Sequence, residues 1–574
     1  MENGRSRRGW GLALGCALWA VVGQGRAGAR AVEVLRPAPA FWLVQTAGQA
    51  TPPAPPAKPA PQPQVETTPS PEGQAPITAP RKPEAPMTRA QARELFGSVD
   101  TILKFASQDT GLPIRHSVKR RLTTRKAVEA YLVEKMREDK DTARVERSSI
   151  VLKKFGLLDR DFALRPFLLS LLKEQIAGFY DSKTKTVNLL DWIDPEEQKP
   201  VLAHELTHAL QDQHVDLEKW GDQSIEGTPK DVADDNRHVA RDEADTAREA
   251  VLEGQAMVTY MDWSLAPSSQ SLRTAPDVQV ENEDDGKPDP DSPELSRAPL
   301  VLKESLLFPY KDGLRFEQIL LKDHGAEAAF AAVLDRPPGS SYEIMHPHAY
   351  EQHTAPALLT LPDLHPLLDA EYTPYDLGVM GALDVRMLGQ AFGGGTAAAD
   401  LAQGWNGGVY YAAQSRKAVA AGQGGSTGSI GLVYLSQWTS EGEAESFAKF
   451  YAGSLKRKYR QLRGEAGLTE ASTRNAGASA EMRFTTEEGP VRVAVRGRQV
   501  FVSEGFAEPL AERLEERMMG PVRAAVGGSG AATQQLAGAV GSGELTAPLV
   551  RLFGAMGMMK AALRDREAAS PRVY

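Results

Sequence analysis

Cysteine is nearly absent: Cys16 is the only one in 574 residues. An intrachain disulfide is therefore excluded, and so is a metal site built on thiolates. A surplus of positive charge is missing too, since 66 Lys and Arg stand against 75 Asp and Glu, a formal net charge of -9. Phosphate backbones need a basic face, so nucleic acid is set aside as the main partner. The apolar run from Trp10 to Val22 falls short of the roughly 20 residues that span a bilayer. Any metal must be held by His, Asp or Glu. The chain has ten histidines, and they are clustered.

What is present is enough for real cores: 41% of residues are hydrophobic and 25% charged. The length leaves room for roughly two to four domains. Arg5, Arg7 and Arg8 precede the apolar run, and Ala27, Gly28 and Ala29 follow it. That order matches a secretory signal peptide over 1–31 and implies export to the periplasm, cell envelope or medium. The residues before Cys16, Ala13-Leu14-Gly15, make a poor acylation box, which disfavours a lipid anchor there. Loss of the leader would leave a mature chain with no cysteine and no membrane span. Residues 51–87 hold 13 of the 39 prolines. The stretch 32–87 therefore reads as a disordered, semi-rigid spacer.

Beyond the spacer the pattern is mostly helical, as in Ala127-Val-Glu-Ala-Tyr-Leu-Val-Glu-Lys-Met136. Residues 177–181 and 186–190 are β-prone runs across a polar loop and predict a hairpin. Asp194 and Pro195 open a helix that carries Val201 through Gln213, and a second helix is expected from about Asp234 to Trp263. Residues 266–298, rich in Ser, Pro, Asp and Glu, read as a loose excursion. Residues 491–495 and 500–503 predict another hairpin. The expected fold class is α+β: a helix-rich core over 88–420 with a small sheet beside the first of those helices, then a mixed α+β region over 421–525. A Gly-rich and helical tail, 526–574, closes the chain. Residues 420–520 carry no recognisable nucleophile or metal constellation.

The chemistry concentrates at His204-Glu205-Leu206-Thr207-His208. Histidines at i and i+4 share a helix face about 5–6 Å apart, a suitable bite for one zinc ion. Glu205 projects beside them, where a carboxylate can take a proton from an attacking water. A catalytic zinc site takes a third protein ligand. His214 has the spacing for it, yet Ala209 to Gln213 contains no breaker. On a continuous helix it points about 100° away from the midpoint of the other two. Glu253, in Ala250-Val-Leu-Glu-Gly-Gln-Ala256 on the second helix, is the better placed ligand, with Glu249 as a further alternative.

An HExxH helix followed by a helix bearing Glu-Gly-x-Ala resembles the gluzincin metallopeptidases. His204-Glu-Leu-Thr-His-Ala-Leu-Gln-Asp-Gln-His214, Gly178-Phe-Tyr-Asp181 and Leu252-Glu-Gly-Gln-Ala256 are similar to bacterial exported proteins of that type. So are Phe308-Pro-Tyr310, Arg336-Pro-Pro338 and His346-Pro347. The resemblance covers roughly 95–420. It implies a zincin-like core and Zn2+ on His204, His208 and Glu253. It further implies that Glu205 serves as general base in peptide hydrolysis, with a protein or peptide as substrate. Met257 stands where thermolysin-like members carry an aspartate that orients a zinc histidine. Asp245 and Glu249 are candidates for that role, or simply solvate their helix. A donor for the developing oxyanion is also required; His346 is preferred for it, with Tyr342 and Tyr350 as alternatives. The hairpin at 177–190 could offer an edge strand to an extended peptide. A reading from another class is a non-catalytic cell-envelope binding protein with a structural or degenerate zinc site. The intact Glu205 argues against it, because a structural site has no use for a general base.

Overall fold

A computed structural model of the chain describes residues 86–138, 140–221, 230–279, 289–290, 292–356, 358–464, 469–470, 480–520, 545–554 and 558–559. The expected leader with Cys16, the spacer up to residue 85, and most of the Gly-rich tail lie outside these residues. The fold is α+β, with two sheets set among helices. No helix among the described residues is long and apolar enough to cross a membrane.

In chain order the strands are β1 (Lys119–Thr123), β2 (Ile176–Asp181), β3 (Thr186–Leu190), β4 (Tyr372–Val379), β5 (Trp405–Ser415), β6 (Ile430–Trp438), β7 (Leu462–Gly464), β8 (Thr469–Glu470), β9 (Ala480–Thr486), β10 (Gly489–Arg496), β11 (Gln499–Glu504) and β12 (Met558–Met559). The smaller sheet has the order β1-β3-β2-β12. The expected hairpin is present: β2 and β3 pair antiparallel, with Asp181 opposite Thr186. Its loop is fixed by Asp181, whose Oδ1 accepts from the N–H of Lys183 (3.1 Å), while Lys185 takes the left-handed backbone that ends the turn (φ 54°). Strand β1 pairs parallel to β3 and was not legible in the sequence. Its Lys119-Arg-Arg-Leu-Thr123 is too short and too basic to carry a β signal.

The His204 helix, Pro195–Val215, starts where its residues require. Asp194 accepts from the N–H of Glu196 at 2.8 Å, Pro195 supplies the fixed φ of a first helical residue, and Glu196 and Glu197 face the positive helix end. Gln198 locks this start to the sheet by bonding both the N–H and the carbonyl of Leu190 (2.9 and 2.8 Å). At the other end Asp212 accepts from the Tyr180 hydroxyl (2.7 Å) and from Lys185 (2.8 Å), which ties β2 to the helix. The helix therefore lies in a fixed register along β2 and β3.

The Glu253 helix, Val232–Leu265, begins at Asp231, whose carboxylate accepts from the N–H groups of Ala233 and Asp234 (both 2.9 Å). It packs on the His204 helix and on a third helix, Leu300–His324, the Tyr310 helix. The crossing with the Tyr310 helix is backbone to backbone. A Cβ on Gly254 would sit 2.4 Å from the Gly313 carbonyl carbon, and one on Gly313 would sit 2.2 Å from the Ala250 oxygen. Only glycine permits this approach, which draws Glu253 and Tyr310 together. Gly254→Ala is expected to lower unfolding stability by about 1–3 kcal/mol through overpacking. A denaturation midpoint equal to wild type would show that the two helices part without cost.

The stretch expected to be loose is partly packed. Leu272 and Val278 are buried, and the Gln318 side chain bonds the N–H of Val278 (2.7 Å) and the carbonyls of Leu272 and Pro276 (3.1 and 3.0 Å). A polar composition here coexists with order because one buried amide satisfies three backbone groups. Residues 280–288, also within that stretch, are outside the described set.

The larger sheet is antiparallel, in the order β4-β5-β6-β11-β10-β9-β7, with β8 on β9. The expected hairpin at 491–503 is its β10–β11 pair. The domain boundary expected at 420–421 falls between β5 and β6, which pair from Trp405 to Gln414. The sheet begins at Tyr372 with β4, and the glycines at 407 and 408 lie within β5.

Candidate metal centre

His204, His208 and Glu253 come together as a group that could hold a metal ion. His204 Nε2 lies 3.0 Å from His208 Nε2 and 3.0 Å from Glu253 Oε2, and His208 Nε2 lies 3.6 Å from the same oxygen. A tetrahedral zinc site with bonds of about 2.0–2.1 Å has ligand-to-ligand edges of about 3.3 Å, so these atoms fit the faces of such a site. His204 and Glu253 are buried, and His208 is half-buried. A third ligand from a separate helix was the arrangement favoured for Glu253, and the geometry brings it in.

His214 stays out of the group. The His204 helix runs unbroken to Val215, and the His214 ring bonds Asp335 at 3.0 Å. Glu249 lies one turn before Glu253. Burial and the adjacent Glu253 carboxylate push its pKa up to about 8, so near neutral pH it keeps its proton. Burial lowers His204 to about 4, which leaves a neutral imidazole suited to ligation. Burial also opposes charge on His208, but the attraction of Glu253 outweighs it and holds His208 at about 9. Glu253 is correspondingly held down at about 2, against its own burial, by His208 and His204. Metal uptake at neutral pH would therefore displace a proton from His208.

The support for the ligands is different from the one expected. Asp245 is engaged elsewhere, by Arg551 at 2.6 Å. The partner of His208 is Gln211, whose Oε1 lies 2.8 Å from Nδ1. Gln211 Nε2 donates in turn to the Leu252 carbonyl and to Gln255 Oε1 (both 3.0 Å). Gln255 Nε2 donates to the carbonyls of Ala329 and Phe330 (2.8 and 3.1 Å), which are exposed to it by a π-helical turn at Ala328–Ala332. Because both amide nitrogens donate, the Gln211 oxygen must accept. Once its Nε2 proton is displaced, His208 keeps the proton on Nδ1 and turns a lone pair on Nε2 toward the other ligands. Gln211→Ala is expected to weaken metal binding about 10- to 100-fold while the helix remains. Titration of the metal-free protein with zinc would measure it. Unchanged affinity would mean that the relay does not orient His208.

Tyr310 is the residue that sequence reasoning did not place here. It is buried, its ring stacks over His204 with centroids 6.2 Å apart, and its hydroxyl bonds Glu253. Burial, with Glu253, Glu249 and Glu205 around it, raises its pKa well above the ordinary tyrosine value, so the hydroxyl donates to Glu253. The signal was Phe308-Pro-Tyr310 itself, with Pro309 inside a helix. His346 is not one of the three grouped side chains. It ends one short helix and precedes Pro347, the first residue of the next. Its ring stacks on Tyr342 at 4.2 Å and its Nδ1 lies 3.0 Å from the Tyr342 carbonyl. Its charged neighbours are Arg315 and Asp312, neither of them in the metal group. Tyr350 gives its hydroxyl to the Arg336 carbonyl at 2.8 Å.

Glu205 is 1% exposed. Its charge acts on His208, Tyr310 and Tyr131, and Tyr131 itself stacks on Phe179 of β2 at 4.3 Å. The strand passes close by: a Cβ on Gly178 would lie 3.7 Å from Glu205 Cγ and 2.9 Å from Val201 Cγ1. Glu205 thus sits between the metal group and the backbone of β2.

A family model described as a domain of unknown function, DUF8575, matches residues 376–515. That range is nearly the whole of the larger sheet and ends before the tail. The metal group lies outside it. No curated protein and no solved structure matches the chain.

Proposed function

We propose that the chain is an exported zinc metallopeptidase of the gluzincin type, with His204, His208 and Glu253 as ligands and Glu205 as general base. The observation that carries this reading is the convergence of two imidazole nitrogens and one carboxylate oxygen within 3.0–3.6 Å, with Glu205 one residue along the same helix. Two imidazoles with a hard carboxylate oxygen are a donor set that suits zinc. When bound, zinc supplies Lewis-acid polarisation of a carbonyl and acidifies water.

The protein's own groups do the rest. Glu205 removes a proton from the attacking water and passes it to the leaving amine nitrogen. Its burial beside β2 excludes bulk water, which strengthens that proton transfer relative to an exposed carboxylate. Tyr310 holds the Glu253 carboxylate by its hydroxyl. Gln211 fixes the His208 tautomer. Peptide or protein is the substrate class, since this machinery serves amide hydrolysis.

The test is chelator-sensitive cleavage of an unfolded protein such as casein, with zinc content measured on the same sample. About one zinc per chain, loss of cleavage on chelation and its return with added zinc are expected. Cleavage indifferent to the chelator would overturn the reading. A zinc-loaded chain that cleaves neither casein nor envelope proteins would point instead to a binding protein.

A further inference from the structure

The edge of β2 beside Glu205 is occupied by Met558 and Met559 of the same chain. Strand β12 pairs antiparallel with β2, Met558 opposite Gly178 and Met559 opposite Ile176. The far side of β2 is taken by β3 through Phe179, Tyr180 and Asp181, so β12 takes the side that β3 leaves open. Gly178 is also the residue whose missing side chain brings the β2 backbone close to Glu205. A peptide laid on this edge by strand addition would use the positions that Met558 and Met559 hold.

The segment is delivered there by a built anchor. Asp384 accepts from the Leu545 N–H and the Thr546 hydroxyl, both at 2.8 Å. The helix that follows, Ala547–Gly554, buries Leu549, Val550, Leu552 and Phe553 against the Glu253 and Tyr310 helices. Arg551 pairs with Asp245, two turns before Glu253 on its helix. The anchor is extensive, whereas the strand it delivers is two residues long. A short strand on a firm tether binds weakly for itself but at an effective concentration on the order of mM.

We infer that strand β12 is a tethered pseudosubstrate, which covers the β2 edge and restrains the site until an extended peptide displaces it. This rests on the peptidase reading, and it adds the regulation of that site.

The experiment compares the full chain with one ending at Gly554, which keeps the buried helix and removes β12. A labelled peptide of residues 555–562, Ala-Met-Gly-Met-Met-Lys-Ala-Ala, is the probe. Fluorescence anisotropy should show saturable binding to the shortened chain and at least about tenfold weaker binding to the full chain, where the tether competes. The shortened chain should cleave casein several-fold faster, mainly through a lower KM, and the peptide should inhibit it competitively. Equal peptide binding by the two chains would overturn the inference, as would equal cleavage rates. If peptide binding differs as expected but neither zinc-loaded chain cleaves anything, the segment does cover the edge and it is the peptidase reading that has failed. A lower unfolding midpoint in the shortened chain would show that β12 holds the fold together, and a full chain with Met558→Pro and Met559→Pro then serves as the displaced form, with the same expectations.

Discussion

On the peptidase reading, replacing Glu205 by glutamine is expected to abolish peptide hydrolysis while the protein still holds its metal. The glutamine fills the same volume and leaves the three ligand atoms untouched, but its amide cannot take a proton from water. Loss of a positioned general base costs about 10²- to 10⁴-fold in rate. Burial of Glu205 puts the change at the upper end, because bulk water has little access to stand in for the lost carboxylate. Parallel zinc analysis and casein cleavage would measure both halves. Normal turnover by Glu205→Gln would remove the carboxylate from the mechanism. Loss of zinc together with activity would instead make Glu205 part of the binding site.

The second large effect separates the two possible third ligands. Glu253→Ala is expected to lose its zinc, while His214→Ala keeps it. Glu253 Oε2 is within 3.0 and 3.6 Å of the two imidazoles, whereas His214 is bonded to Asp335 near the end of its helix. Glu253→Gln serves as the companion variant. It preserves the volume beside Gly254 and can still accept from Tyr310, so it isolates the loss of the anionic ligand from any repacking. Both Glu253 variants should fall to substoichiometric zinc after dialysis. Full zinc in Glu253→Gln combined with its loss in His214→Ala would require the helix to break near Gln211, contrary to the geometry found.

Much of this site was readable because its first elements are local. A pair of histidines four residues apart is a property of one helix, and Asp194 with Pro195 marks where that helix begins. Glu253 could be placed because it lies on a second strongly periodic helix. The hairpin at 177–190 announced itself by two β-prone runs across a polar loop. The role expected for His346 rested on a short motif without a position in space. The structure gives it one: its ring lies against Tyr342, while Tyr310, which no local signal placed, lies against His204.

The missed features share a cause, which is that they depend on pairs distant along the chain. Gln211 is an ordinary polar helix residue until Gln255, 44 positions later, fixes the direction of its amide. Gly254 and Gly313 are each tolerable helix glycines, and their meaning appears only where the two helices cross. The beginning of the larger sheet at Tyr372 follows from strand pairing and not from composition.

By itself, the sequence restricted the chemistry open to any metal. With one cysteine, and that one in the expected leader, a metal can be held only by imidazole and carboxylate, and the helix period sets two imidazoles side by side. The tertiary structure decided which carboxylate completes the group, which amide holds the histidine, and which strand lies beside Glu205. Those outcomes come from packing between elements, where burial and close approach select one partner among many that local periodicity leaves equivalent. Met558 beside Gly178 is the longest-range case, and no local pattern in the chain anticipates it.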